Sequence, residues 1–311
     1  MIVKIFKTIG SRTYLISLIL VIFAVFFSFL YVGGMNWPSI YWTEIFWNIG
    51  LIVLSMWLIT AQEIKIKGRK FDGIHLIAFP VIFLFSPFPF QLEAFPAILL
   101  FLLIYGQFAF IQSLHSKNSE KGILDLSLII SISIQFNIIF AVFFFLPVMV
   151  ILLKGLKDNK HLMALLLPIA LISFIFRAII NVFPSIMSDL TTPSVQWDIL
   201  SVQALSIEER VWLALLIISG LICIFRFPRR SRKFAFPELY SGFLYMTFWL
   251  FFSMAYEVLV LKSGEGPWFF SFIPVAYFFG VLLENISSDF MKNTLLTFLF
   301  FGIILFKLFL P

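Results

Sequence analysis

ILDLSLIISISIQFNIIFAVFFFLPVMVILLK, residues 123–154, is the stretch that decides the fold of this chain. A helix rises about 1.5 Å per residue and needs roughly 20 apolar residues to cross a bilayer. The stretch is therefore too long for one crossing and short for two. A turn at Gln135, Phe136 and Asn137 would make two short, tightly joined helices. One long tilted helix is the alternative, and it would invert every segment downstream.

The composition of the whole chain matches that stretch. Of 311 residues, 61% are hydrophobic and 12% are charged, whereas a soluble domain carries about 25% charged residues. A soluble protein of this composition would have too little polar surface to present to water. The chain is therefore predicted to be a multi-span membrane protein and not a soluble globular domain.

Apolar segments alternate with short polar loops along the full length. We predict helical spans at 13–33, 44–62, 73–89, 94–114, 123–136, 138–155, 162–182, 209–226, 239–261, 267–283 and 294–310. The predicted fold is an all-α polytopic bundle of about eleven spans, within a range of about nine to twelve. It forms one integral membrane domain over residues 1–311.

Basic residues set the orientation, because cytoplasmic loops are enriched in Lys and Arg. With eleven spans and a cytoplasmic N-terminus, all 22 basic residues lie inside except Arg177, Arg210, Lys262 and Lys307. The inner loops 62–72 and 226–238 carry the runs KIKGRK and RFPRRSRK. Removing one span would place the second run outside, so residues 123–155 are predicted to form two short helices. Whether these are two crossings or one re-entrant hairpin stays open. The C-terminus and the longest loop, 183–208, are then periplasmic.

Arg177 and Glu257 are charged residues that lie inside apolar spans. Arg177 is about five residues from the outer end of the seventh span, and Glu257 is about four from that of the ninth, so both have similar depth. Charged groups in spans usually pair or line a polar cavity. We predict that Arg177 binds an anionic group such as a lipid phosphate, with Glu257 nearby. The alternatives are that Arg177 extends to the interface or that the two form a structural ion pair.

The outer loops offer few other reactive groups. Glu44 ends the first loop, GGMNWPSIYWTE, where a carboxylate could act as a general base. Alternatively, Glu44 stabilises the N-terminus of the second span. Glu208 and Glu209 suit the first turn of the eighth span. Histidines and the single cysteine lack metal-ligand spacing, so no metal site or cofactor is expected.

Two resemblances extend this reading. Residues 122–182, with two short helices, a basic inner loop and a span that ends in an outer loop, resemble the centre of multi-span C-class glycosyltransferases. Those enzymes use polyprenyl-phosphate sugars on the outer face of the membrane. The ending FIPVAYFFGVLLENISSDFMKNTLLTFLFFGIILF, residues 272–306, resembles a family of polytopic inner-membrane proteins of Bacteroidota.

The resemblances imply a bacterial inner-membrane protein of envelope biogenesis, related to lipid-linked sugar transfer on the periplasmic face. Arg177 would hold the phosphate of a bound polyprenyl-phosphate lipid, and Glu44 would act as the base. The second hypothesis is a non-catalytic subunit or scaffold of a larger inner-membrane complex, for example in protein export. It is favoured by a first outer loop whose only acidic residue is Glu44.

A transporter is the third hypothesis. It would need polar groups near the membrane midplane, where the chain offers Ser131, Ser133 and Ser173. The expected partners are membrane lipids and other inner-membrane proteins. Nucleic acid is not expected, because the orientation of the chain already explains the basic runs.

Overall fold

The structure, a computed structural model, describes residues 6, 11–32, 42–67, 73, 75–85, 94–115, 119–136, 138–156, 158–182, 207–233, 241–260 and 269–309. Within these residues there are eleven α-helices, one 3-10 segment and no β-strand, which confirms the all-α prediction. The predicted outer loop 183–208 lies almost wholly outside the described residues.

The helices follow the predicted apolar segments closely. They are α1 Ser11–Val32, α2 Trp42–Lys67, α3 His75–Phe85, α4 Ala94–His115, α5 Ser119–Phe136, α6 Phe145–Lys154, α7 Asn159–Val182, α8 Ile207–Lys233, α9 Ser241–Val260, α10 Phe269–Asn285 and α11 Asp289–Phe309. The helices α2 and α8 continue past their apolar segments into the basic runs. Lys, Arg, Glu and Gln are good helix formers, so a charged sequence need not end a helix.

The predicted break in the deciding stretch is present. The helix α5 ends at Phe136, and a 3-10 segment, Ile138–Phe144, leads into α6. Both the 3-10 segment and α6 pack against α5, so the chain reverses there and one long helix is excluded. The end of α6 is fixed by Gly155, which has a φ of 61° and donates its N–H to the carbonyl of Leu152. Glycine suits this left-handed position because it has no β-carbon.

The helices form two compact units. Unit 1 comprises Met1–Ala97, Asp198–Arg229 and Met246–Pro311, and unit 2 comprises Ile98–Trp197 and Arg230–Tyr245. In unit 1, α3 lies at the centre and packs against α1, α2, α10 and α11. Its residues 75–84 are all buried, as expected for a helix that is apolar on every side. In unit 2, α5 packs mainly against α7.

Side-chain contacts join helix ends within each unit. In unit 1, Trp212 at the start of α8 donates Nε1–H to Ser271 Oγ at the start of α10, over 3.0 Å. In unit 2, His115 Nε2 at the end of α4 lies 3.3 Å from Ser241 Oγ at the start of α9. Each contact therefore fixes which ends of two helices are neighbours.

The close approach of the start of α5 to the end of α4 depends on Gly122. A β-carbon at this position would lie 2.6 Å from the backbone nitrogen and α-carbon of Ser113. Backbone atoms cannot move aside without shifting the helix. The two helices can therefore approach this closely only with glycine at position 122.

Two described helical segments are long and apolar enough to cross a bilayer by length and composition. They are Arg12–Phe29 in α1 and Asn159–Val182, which is α7. The shorter apolar segments are Ile45–Ala61, His75–Phe85, Phe140–Lys154, Ser241–Ala255 and Phe270–Asn285. The membrane bundle, its orientation and its eleven crossings remain predictions.

Candidate functional site

A row of polar residues runs along the second half of α7 and includes Arg177. Ser173, Arg177 and Asn181 are spaced four residues apart, so they lie on one face of the helix. All three side chains are exposed. The residues around them are apolar, among them Phe174, whose exposed fraction of 75% is among the largest of the described apolar side chains. We refer to Ser173, Arg177 and Asn181 as the polar stripe.

The tip of the α5–α6 hairpin meets the polar stripe at its first residue. Gln135 Nε2, one residue before the end of α5, donates to Ser173 Oγ over 3.2 Å. About nine residues of α7 follow Ser173, which corresponds to roughly 13 Å of helix. Arg177 is four residues after Ser173 and so lies about 6 Å farther along the helix than the hairpin tip. Gln135 and the polar stripe together present several hydrogen-bond donors along one line.

The two halves of α7 differ in packing. Its buried residues, His161, Ala164, Leu165 and Pro168, all belong to the first half. From residue 169 onward, every side chain of α7 is partly or fully exposed. The first half anchors the helix in unit 2, and the second half presents both an apolar surface and the polar stripe.

The other two predicted site residues lie in unit 1. Glu44 is the third residue of α2, which agrees with the predicted position in a first helical turn. Glu257 lies in the last turn of α9. Both side chains lie outside the described residues, and Arg177 belongs to unit 2. The pairing of Arg177 with Glu257 and the role of Glu44 as a base therefore stay predictions.

A cavity in unit 1 was not foreseen from the sequence. Its volume is about 240 Å³, and it lies between the end of α3, the start of α8 and the second half of α11. The residues that line it are Phe85, Glu208, Val211, Phe298, Leu299, Gly302, Ile303 and Lys307. Six of these eight residues are apolar or glycine, so the walls suit hydrocarbon. No sequence signal could have found it, because its walls come from helices remote in the chain.

The cavity also contains two residues of opposite charge, Glu208 and Lys307. Lys307 is only 4% exposed, although lysine is rarely buried without a partner. Glu208 lies in the first turn of α8, as predicted, and lines the same cavity as Lys307. The cavity therefore combines apolar walls with one positive and one negative group.

A second polar contact in unit 1 joins α3 to α10. His75 is fully buried, and its Nε2 lies 3.0 Å from Glu284 Oε1. Gly280 is one turn before Glu284, and it leaves room for the imidazole of His75. The sequence places both residues on the same predicted side, because His75 lies at the start of one predicted span and Glu284 follows the end of another, but it does not show that these two helices are neighbours.

The serines considered for a transport pathway bond within their own helix. Ser131 Oγ donates to the carbonyl of Ser127, and Ser133 Oγ donates to that of Ile129, with distances of 2.6 Å and 2.9 Å. Both side chains are buried. Their donors are therefore already used, which gives the transporter hypothesis no support from these two residues.

Metal ligands do not cluster in the part of the chain that the structure describes, where no three His, Cys, Asp or Glu side chains converge.

Comparison with known proteins does not assign the chain to a family. The chain matches no protein-family model, no curated protein and no solved structure. The function is therefore argued from its own side chains.

Proposed function

We propose that this is a bacterial inner-membrane protein of envelope biogenesis that binds a lipid-linked phosphate and acts in lipid-linked sugar transfer on the periplasmic face. The observation that carries the proposal is the polar stripe at the tip of the α5–α6 hairpin. An arginine on an exposed apolar helix needs an anionic or polar partner in a bilayer. A lipid phosphate would supply that partner.

Contacts between helix ends support the membrane arrangement. The charge pattern places His75 and Glu284 at inner ends, and these residues touch. It places Trp212 and Ser271 at outer ends, and these also touch. In unit 2, the contacting residues His115 and Ser241 are both assigned to the inner side. An orientation derived from charge alone therefore agrees with contacts between helices remote in sequence.

The chemistry of the stripe suits phosphate. A guanidinium donates two parallel N–H bonds to phosphate oxygens and keeps its charge at all relevant pH values. Ser173, one turn below, and Asn181, one turn above, add further donors. The hydrocarbon chain of the same lipid would lie along the exposed apolar side chains of α7.

The proposed reaction needs one base and one stabiliser of negative charge. An acceptor hydroxyl loses its proton to the carboxylate of Glu44 as its oxygen bonds to the anomeric carbon of the sugar. The bond between that carbon and the phosphate oxygen breaks, and the lipid phosphate keeps the electron pair. Arg177 stabilises the charge that develops on the departing phosphate.

The first test is to extract the protein from its own membranes in mild detergent and to measure bound lipid phosphate by mass spectrometry. We expect Arg177→Ala to lower the bound amount by about tenfold or more, because a charge-assisted pair is lost. Arg177→Lys should retain part of the binding. Lys160→Ala is the matched control, since Lys160 is exposed at the opposite end of α7. Equal phosphate-lipid content in the Arg177→Ala and Lys160→Ala proteins would contradict the proposal.

A second candidate function is a non-catalytic subunit of a larger membrane complex. The observation in its favour is that every buried residue of α7 lies at or before Pro168, which leaves the second half for another chain to cover. The same extraction decides between the two. If protein partners co-purify in stoichiometric amounts and are lost on Phe174→Ser, the subunit function is favoured. Glu44 would then only stabilise the start of its helix.

A further inference from the structure

The cavity between α3, α8 and α11 has the features of a binding site that the proposed function does not use. We propose that it binds one hydrocarbon chain of a zwitterionic membrane lipid whose headgroup carries a primary amine. The phosphate of that lipid would face Lys307, and its amine would face Glu208. The inference goes beyond the proposed function and shares with it only the membrane setting.

The size and lining of the cavity favour a hydrocarbon chain. An apolar cavity of roughly 150 Å³ holds benzene, whereas pockets for drug-sized ligands begin near 300 Å³. At about 240 Å³, this cavity accommodates part of a single acyl chain and not a whole lipid. Phe298, Leu299 and Ile303 supply apolar contacts on one wall. The rest of the lipid would remain outside the cavity.

The polar end determines the headgroup. A purely anionic group near Lys307 would also meet the negative charge of Glu208, which lines the same cavity. A zwitterion places one charge opposite each residue, so both pairs are attractive. A primary amine has N–H groups that can donate to a carboxylate, whereas a quaternary amine has none. Charge complementarity therefore favours a zwitterionic headgroup over a glycerol headgroup, and hydrogen bonding to Glu208 favours the aminoethyl group over choline.

Gly302 provides a variant that should fill the cavity without disturbing the fold. It lines the cavity, and a β-carbon there would meet no atom within 4 Å. Gly302→Leu therefore adds volume where space exists. Gly50→Leu is the matched control, because Gly50 is exposed on α2 in the same unit and also has no atom within 4 Å of an added β-carbon.

The experiment measures lipid binding to the delipidated full-length protein in detergent by native mass spectrometry. The probes are phosphatidylethanolamine, phosphatidylglycerol and phosphatidylcholine with identical acyl chains. We expect the wild-type protein and Gly50→Leu to retain phosphatidylethanolamine in preference to the other two. We expect Gly302→Leu and Lys307→Gln each to lose that binding by about tenfold or more, since the first fills the cavity and the second removes a charged contact.

Two results would overturn the inference. The first is that Gly302→Leu retains as much phosphatidylethanolamine as the wild-type protein, which would show that the lipid binds outside this cavity. The second is that the wild-type protein retains phosphatidylglycerol and phosphatidylethanolamine equally, which would show that the site does not prefer a zwitterionic headgroup. Arg177→Ala should leave this binding unchanged, so failure here is distinct from failure of the proposed function.

Discussion

Gly280 in α10 faces the imidazole of His75 in α3 so closely that a β-carbon at position 280 would overlap the ring. The ring also contacts Tyr277, with 5.6 Å between the ring centroids. His75 is fully buried at the first turn of the central helix of unit 1. The contact therefore sets how closely α10 can approach α3.

Gly280→Ala should destabilise unit 1 by about 1–3 kcal/mol, because overpacking forces side chains or backbone to shift. The measurement is the apparent unfolding temperature in detergent. Gly50→Ala is the control, since a β-carbon there meets nothing within 4 Å. If both proteins unfold at the same temperature, the close contact with His75 does not exist.

Glu284 should matter through its contact with His75. Glu284→Leu removes the polar partner of a buried imidazole and should lower the free energy of unfolding by about 1–3 kcal/mol. Glu284→Gln keeps an oxygen acceptor and should cost less. Glu120, which is exposed in the first turn of α5, provides the control Glu120→Gln, with an expected change within about 0.5 kcal/mol. Equal effects of Glu284→Leu and Glu120→Gln would argue against the contact.

Gly106 and Tyr245 should show coupled effects within unit 2. The hydroxyl of Tyr245 donates to the carbonyl of Leu103 over 2.7 Å. A β-carbon at position 106 would lie 2.8 Å from the hydroxyl oxygen of Tyr245. Tyr245→Phe removes the oxygen, at a cost of about 1 kcal/mol. Gly106→Ala should therefore be harmful in the wild-type chain and nearly neutral beside Tyr245→Phe. Additive unfolding free energies in this double-mutant cycle would rule out the contact.

The orientation of the chain can be tested with single cysteines in a Cys223→Ala background. The charge pattern places Ser194 outside and Ser231 inside. A membrane-impermeant maleimide should label Ser194→Cys on intact spheroplasts and Ser231→Cys only after permeabilisation. Labelling of both cysteines on intact spheroplasts would show that the number or direction of the crossings is wrong.

The sequence predicted where the helices begin and end better than it predicted which helices pack against each other. Apolar runs separated by polar loops gave bounds within a few residues for most helices, and the break near Asn137 followed from length and charge. Helix pairing was not predictable, because a helix such as α3 is apolar all round and no face of it identifies a partner. The contact of His75 with Glu284 depends on that pairing.

Part of the candidate site could be predicted from the sequence. Arg177 was identified from its charge, and the four-residue spacing to Ser173 and Asn181 was visible in the sequence. The role of Gln135 was not visible, because its contact with Ser173 depends on how the hairpin packs on α7. Burial of Lys307 also required the structure, since the sequence shows only a basic residue near the end of an apolar segment.

In a bilayer, the short α5–α6 hairpin would change the thickness of the lipid around it. With 18 residues, α5 is about 27 Å long, and its tip reaches only the level of Ser173, about nine residues before α7 ends. A hydrophobic element shorter than the hydrocarbon layer draws the bilayer thinner around it, at a modest cost per ångström. In a membrane, headgroups beside α7 would sink toward Arg177 and shorten the path from aqueous phase to polar stripe. Hydrophobic mismatch would thus bring the layer of lipid phosphates closer to Arg177 than a longer hairpin would allow.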